Sequence, residues 1–222
     1  MAPFFGNLTL WFSLCFGILQ FAILIKRNDH LILKSHRIAA IGLLLCISTS
    51  FLFLTYSHIV SDFSVINVFE NSHTTKPLLY KISGVWGNHE GSMLLWLLVL
   101  STINYFIYLL YNPKNLIFIS KTLQIQALII IGFLLFILLT SNPFDRMITI
   151  PQNGLGFNPI LQDPALAVHP PLLYVGYVGF SAAFSFSMAA MSLNNKKEIL
   201  WHSYMKPFVV AAWTFLTIGI AL

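Results

Sequence analysis

Charge is what this sequence has least of. Lys, Arg, Asp and Glu supply 9% of its 222 residues, against 57% hydrophobic and 15% aromatic. A soluble globular chain is nearer a quarter charged, so that class is excluded and the composition is that of a membrane protein. Cysteine is scarce too. Cys15 and Cys46 lie inside apolar runs with no Cys-x-x-Cys or Cys/His spacing, which leaves no metal module and suits two small buried hydrophobes. No Lys, Arg, Asp or Glu lies near the middle of a long apolar run, which argues against a proton pump or ion-coupled transporter. No repeat, low-complexity tract or second soluble domain is present. The net charge of +5 comes from short basic clusters between apolar runs; it is a topology signal rather than a nucleic-acid footprint.

What is there is apolar length. A helix needs roughly 20 residues to cross a bilayer, and six segments qualify: 8–25, 38–58, 93–111, 123–139, 171–192 and 207–222. The first has no basic residue before it, while Lys26 and Arg27 follow it, so it reads as a retained helix whose N-terminus is outside. The inside connections then hold Lys26, Arg27, Lys34, Arg37, Lys114, Lys121, Lys196, Lys197 and Lys206, and the outside ones Lys76, Lys81 and Arg146. That bias fixes both termini on the outer side. The outer loops, near 59–92 and 140–170, run to roughly thirty residues each, and long loops in a compact protein are usually functional. The expected fold is an all-α membrane protein of about six transmembrane helices. It divides into a helix pair with its outer loop (1–87) and a second membrane part (88–222).

Two stretches carry candidate chemistry. In the first, Val85-Trp86-Gly-Asn-His89-Glu90-Gly-Ser92-Met93-Leu-Leu-Trp96, Ser92 suits a helix N-cap and Glu90 the helix dipole. Trp86 and Trp96 suit the membrane interface. One His–Glu pair is not a ligand set, so the segment reads either as an interfacial anchor or as an outward-surface site of Trp86, His89, Glu90 and Trp96. The second stretch runs from Gly156 through His169-Pro-Pro to Phe180. A residue before proline is pushed from the α region, so His169 is expected to be extended, with Pro170 and Pro171 opening a helix behind it. The positive helix end would favour a neutral, metal-binding imidazole; a cap or interface anchor is the other reading. His30 and His36 are expected to be solvated, His58 to end the second helix at the interface, and His73 and His202 to be structural or exposed. The small residues Gly176, Gly179, Ala183 and Ser187 recur at helical spacing, which lets a second helix approach closely.

Three motifs in order, Trp86-Gly-Asn-His-Glu-Gly-Ser-Met-Leu-Leu-Trp96, Leu135-Phe-Ile-Leu-Leu-Thr-Ser-Asn-Pro-Phe144, and Asn158-Pro-Ile-Leu-Gln-Asp-Pro through His169-Pro-Pro to Phe180, closely resemble the CcmF family. Its members are membrane haem lyase subunits of cytochrome c maturation. The resemblance implies that His169 is an axial ligand to haem iron, for haem b delivered by a chaperone. It also implies covalent attachment of haem to apocytochrome c, with thiol-reducing partners, in a bacterial or mitochondrial inner membrane. Family members continue past a segment like 213–222 into a tryptophan-rich outward segment, the WWD motif. That segment, a second outward histidine and the two ligands of a permanent b-type haem are not in this sequence. The expectation is therefore an N-terminal third, inactive alone, that works with a C-terminal remainder. The alternative is a structural membrane subunit that scaffolds a haem lyase or respiratory complex without binding haem. Membrane lipid is an expected partner and nucleic acid is not.

Overall fold

A computed structural model describes residues 1–23, 29–111, 114–156, 158, 162–193 and 201–222, apart from the side chains of Asp29 and His30. Lys26, Arg27, Lys196, Lys197, the His30 ring and residues 159–161 of the third motif lie outside the described residues. The regular elements among the described residues are helices: α1 (Ala2–Ala22), α2 (Asp29–Ile59), α3 (Ile66–Asn71), α4 (Leu78–Ser83), α5 (His89–Leu109), α6 (Leu116–Thr140), α7 (Pro164–Gly179), α8 (Ser181–Ser192) and α9 (Trp201–Ala221). Among the described residues six helical stretches are long and apolar enough to span a membrane, with α7 and α8 forming one of them. The join is Phe180, whose N–H bonds the Tyr177 carbonyl at 3.3 Å in place of a regular α-helical partner. The spans start earlier than hydropathy alone indicates; in α5 and α7 the reason is a polar first turn capped by a side chain, Asn88 and Asp163.

Two apolar clusters hold the bundle. Leu10 and Leu14 of α1, Leu43 and Ile47 of α2, Leu94 and Leu97 of α5, and Ile130 and Leu134 of α6 form the larger. Ile107, Phe118, Ala182 and Phe186 form the second, against which Trp201 and Tyr204 of α9 pack. Polar pairs cross the bundle between them. Gln20 Nε2 donates to Asn104 Oδ1 at 2.6 Å and to the Leu123 carbonyl at 3.1 Å, and Asn104 Nδ2 returns a bond to Gln20 Oε1. Each such intramembrane bond contributes about 0.6 kcal/mol.

The small-residue stripe sets the α7/α9 register. A Cβ on Gly176 would lie 2.7 Å from Leu216 Cβ, one on Gly179 would lie 2.8 Å from Ala212 Cβ, and one on Gly219 would lie 2.8 Å from Leu173 Cδ2. The two helices therefore run antiparallel at backbone contact. α9 is otherwise little covered: Trp213, Ile218 and Ile220 are exposed.

Both long loops gather at one end of the bundle. Met147 N–H bonds the Ser64 carbonyl at 2.9 Å and Ile66 N–H the Asp145 carbonyl at 2.9 Å, closing an isolated antiparallel bridge between Val65 and Arg146. Leu155 and Gly156 donate to the Phe69 and Ser72 carbonyls. Gly156, at φ +97°, holds a backbone conformation that favours glycine. Lys34, Arg37, Lys114, Lys121 and Lys206 mark the opposite end of the described chain.

Candidate functional site

The Trp86–Glu90 segment turns the chain from α4 into α5 at the loop-bearing end. Asn88, not Ser92, caps α5: its extended backbone lets Oδ1 accept the Gly91 N–H at 2.8 Å. Its Nδ2 reaches back to the Gly84 and Val85 carbonyls at 2.7 and 3.2 Å. The turn is so tight that a Cβ at Gly91 would collide with the Val85 carbonyl oxygen, which explains a glycine in the first turn. Ser92 sits one turn further on. Its hydroxyl donates to the Trp86 carbonyl at 2.8 Å, so in the 3.1 Å contact between Ser92 Oγ and Tyr174 the tyrosine is the donor.

Behind the cap is a buried polar knot that sequence reasoning missed. His58, fully buried, lies 2.9 Å through Nε2 from Asn67 Oδ1. Asn67 Nδ2 donates to Asn88 Oδ1 at 2.6 Å and to Glu90 Oε2 at 3.2 Å. Because Asn67 Oδ1 accepts also from Asn88 Nδ2, the His58 proton sits on Nε2. Nδ1 has no partner among the described residues. Lys76 Nζ, also buried, donates to the Asn71 carbonyl at 2.9 Å. Burial, and after it the Lys81 ammonium, push the Lys76 amine down to about 8. The available signal was an asparagine inside the apolar run Ile66-Asn67-Val68, where a buried amide must find partners. His36, expected to be solvated, is instead 2% exposed. It sits in α2, where the helix begins before the apolar run does.

Trp86, His89 and Trp96 come together around a cavity of about 500 Å³ between the start of α5 and α7, shared with Pro170 and Tyr174. Its lining includes no carboxylate or ammonium among the described residues. The Trp86 ring lies parallel to Phe51, with centroids 6.4 Å apart, and its Nε1 donates to the Ala167 carbonyl at 2.9 Å. Trp96 sits among Phe133, Tyr174 and Tyr177, each with its centroid within 5.7 Å. His89 bonds Ser141 Oγ at 3.1 Å and turns its edge to Phe136. Glu90 does not join the cavity; it belongs to the Asn67 knot.

His169 is placed differently from the sequence expectation. The helix does not open at Pro170. It opens at Pro164, capped by Asp163, whose Oδ1 accepts the Ala165 and Leu166 N–H groups at 2.8 and 3.1 Å. An Asp-Pro start supplies both a cap and a preset φ, and this outcompetes the extended preference that Pro170 imposes on His169. His169 is thus the sixth helical residue, beyond the first turn where the dipole acts, and the dipole argument for its state does not apply. Its ring is half-buried and has no hydrogen-bond partner among the described residues. Nor does it line the cavity. It lies seven residues before Gly176, about two turns along the same stripe that faces α9. Continued from the Gly179–Ala212, Gly176–Leu216 and Leu173–Gly219 contacts, the register puts His169 just beyond Leu222.

No group of three or more His, Cys, Asp or Glu that could hold a bare metal ion occurs among the described residues. A lone unpartnered imidazole is a different matter, since a porphyrin supplies four nitrogens and needs only axial ligands. His169, half-buried, fits that requirement; His58 keeps an Nδ1 lone pair without a partner among the described residues but is fully buried, out of reach of a porphyrin.

Comparison with known proteins agrees with this architecture. The chain is 46% identical over 220 residues to the cytochrome c-type biogenesis protein CycK of Rhizobium meliloti (strain 1021), covering 98% of this chain and 32% of that protein. It is 41% identical over 199 residues to CcmF of Escherichia coli (strain K12), covering 89% and 31%. A solved structure of the cytochrome c haem lyase CcmF superposes with a TM-score of 0.81 at 25% identity, over 99% of this chain and 35% of that one. The chain thus spans about a third of the length of the relatives it matches. The model of the cytochrome c assembly protein family matches residues 86–222. Most of the chain, including the cavity and the His169 helix, falls within that match, and the protein belongs to the cytochrome c assembly protein family.

Proposed function

We propose that this chain handles haem for covalent attachment to apocytochrome c, with its loop-bearing end facing the periplasm or intermembrane space. The observation that carries the reading is His169: an imidazole on the α9-facing stripe of α7, half-buried and without a hydrogen-bond partner among the described residues. Every other described histidine ring is bonded, buried away from the loop-bearing end, or exposed beside the opposite one. Haem is the substrate, held through its iron by the His169 ring. It supplies the vinyl groups across which the two thiols of an apocytochrome Cys-x-x-Cys-His segment add. The protein's share is to hold the ring in one orientation, since positioning alone removes much of the barrier of such an addition. The α7/α9 register supports a working unit in which the segment following position 222 in the longer relatives meets His169. The attachment reaction would then need that C-terminal remainder, a haem chaperone, and a reductant for the apocytochrome thiols. The division at 87/88 enters this proposal as a scaffold part and a haem-facing part.

The test is His169→Ala, co-expressed with the remainder in cells lacking their own haem lyase. Covalent cytochrome c, read by haem staining, should fall to background while membrane levels of the chain hold. Undiminished staining would remove haem ligation and leave a scaffolding subunit.

A further inference from the structure

We infer that Trp86 is a positioning residue for His169, an assignment that rests on the haem-ligand reading above. The reason lies in what Pro170 and Pro171 do inside α7. In a regular helix residue 171 donates its N–H to the carbonyl of Ala167; proline has no N–H, so that carbonyl loses its donor. Ala167 is 5% exposed, and a buried carbonyl without a donor is costly. The Trp86 indole Nε1–H fills the vacancy at 2.9 Å. The bond comes from another part of the chain and enters α7 two residues before His169. Trp86 also holds α7 about two turns further on: its carbonyl accepts the Ser92 hydroxyl, which in turn accepts from Tyr174 OH. His169 lies between the two anchor points, Ala167 and Tyr174.

Trp86 is itself fixed. Its ring lies against Phe51 of α2, and its backbone belongs to the turn that Asn88 ties to Gly84 and Val85. The His-Pro-Pro sequence thus removes the donors of two carbonyls of its own helix, the exposed Leu166 and the buried Ala167, and a distant tryptophan supplies the buried one. A helix with both backbone donors in place would hold its second turn without help. This one makes the direction of the His169 ring depend on the turn into α5.

The dependence is testable as a double-mutant cycle, because Pro171→Ala returns the missing N–H. Five proteins are reconstituted in lipid nanodiscs: wild type, Trp86→Phe, Pro171→Ala, their double variant, and His169→Ala for the haem readout. Phenylalanine keeps the ring on Phe51 and removes only the indole donor. Hydrogen exchange of the α7 amides of Val168, His169, Leu172 and Leu173 should rise about fivefold for Trp86→Phe in the proline background, the ratio expected for one net hydrogen bond. In the Pro171→Ala background the same change should move exchange less than twofold. Equal increases in both backgrounds, or none in either, would overturn the inference. Haem added to the same samples supplies the second readout. The Soret band of the histidine-bound form should weaken in Trp86→Phe and recover in the double variant. If His169→Ala abolishes the band while Trp86→Phe leaves it unchanged, Trp86 does not position the ligand and the His169 assignment stands. If His169→Ala leaves the band intact, the ligand reading fails, and the exchange cycle still reports on the Trp86–Ala167 coupling separately.

Discussion

Two histidines sit at the same end of this bundle and have opposite surroundings. His58, at the end of α2, is fully buried and tied through Asn67 to the Asn88 cap and Glu90. His169, in the second turn of α7, is half-buried, and its ring has no hydrogen-bond partner among the described residues. Residue type does not separate them; burial and hydrogen bonding do. An imidazole that is fully buried and serves a buried amide through Nε2 is committed to structure. One whose nitrogens have no protein partner can give a lone pair to iron. The contrast extends to their settings. α2 contributes Leu43, Ile47 and Leu54 to the main apolar cluster, while α7 leans on α9, whose far side is largely uncovered.

The sharpest way to break the contrast is to remove each ring in turn. His169→Ala should abolish haem capture at unchanged thermal stability, within about 0.5 kcal/mol, because its ring makes no hydrogen bond whose loss would register. A large drop in melting temperature with haem capture retained would reverse the two roles. His58→Ala should do the opposite. Removing one partner from a buried network leaves Asn67 short of a donor and opens a cavity, a loss of about 2–3 kcal/mol. Haem capture, scaled to the folded fraction, should survive. Melting in detergent, read beside the Soret band, checks both.

A smaller effect tests the shared premise that this end faces outward. Thr74 and Gln152 are exposed at the loop-bearing end and Ser203 at the other. Single cysteines at the first two, with Cys15 and Cys46 replaced by serine, should react with an impermeant maleimide from the periplasmic or intermembrane side, and one at Ser203 should not. Ser72 is unsuitable for such a label because it is fully buried. The reverse labelling pattern would put His169 on the wrong side for an exported apocytochrome.

The smallest effect belongs to Lys76, beside the His58 knot. Its folded amine titrates near 8, below the usual lysine value, chiefly because burial disfavours the charge. Between that value and about 10.4 the unfolded chain binds more protons than the folded one, so stability should rise with pH across this window. Below 8 the penalty is fully present. The melting temperature of wild type should therefore climb between pH 8 and 10 relative to Lys76→Met. Parallel curves would show that the amine is not held in a low-dielectric site.

Much of the membrane architecture was legible in the sequence, because a bilayer imposes one rule on every span: roughly twenty apolar residues with an internally bonded backbone. Charge scarcity, six apolar runs and a small-residue stripe on the fifth span follow from that rule residue by residue. The motifs pointed to the family and to the stretches that matter. What the sequence did not determine was which partner each polar group finds. Pro170 predicted an extended His169, but Asp163 and Pro164 start the helix earlier, and a local preference of one residue yields to a cap and a whole turn of backbone bonds. Ser92 had the composition of a cap, yet Asn88 takes the position because its amide also reaches the Gly84 and Val85 carbonyls. His58 and Asn67 lie nine residues apart, and Trp86 and Ala167 eighty-one. Hydropathy gives no sign of either pairing. Tertiary structure decided them, because a buried donor or acceptor must be satisfied by whatever the packed bundle brings within 3 Å.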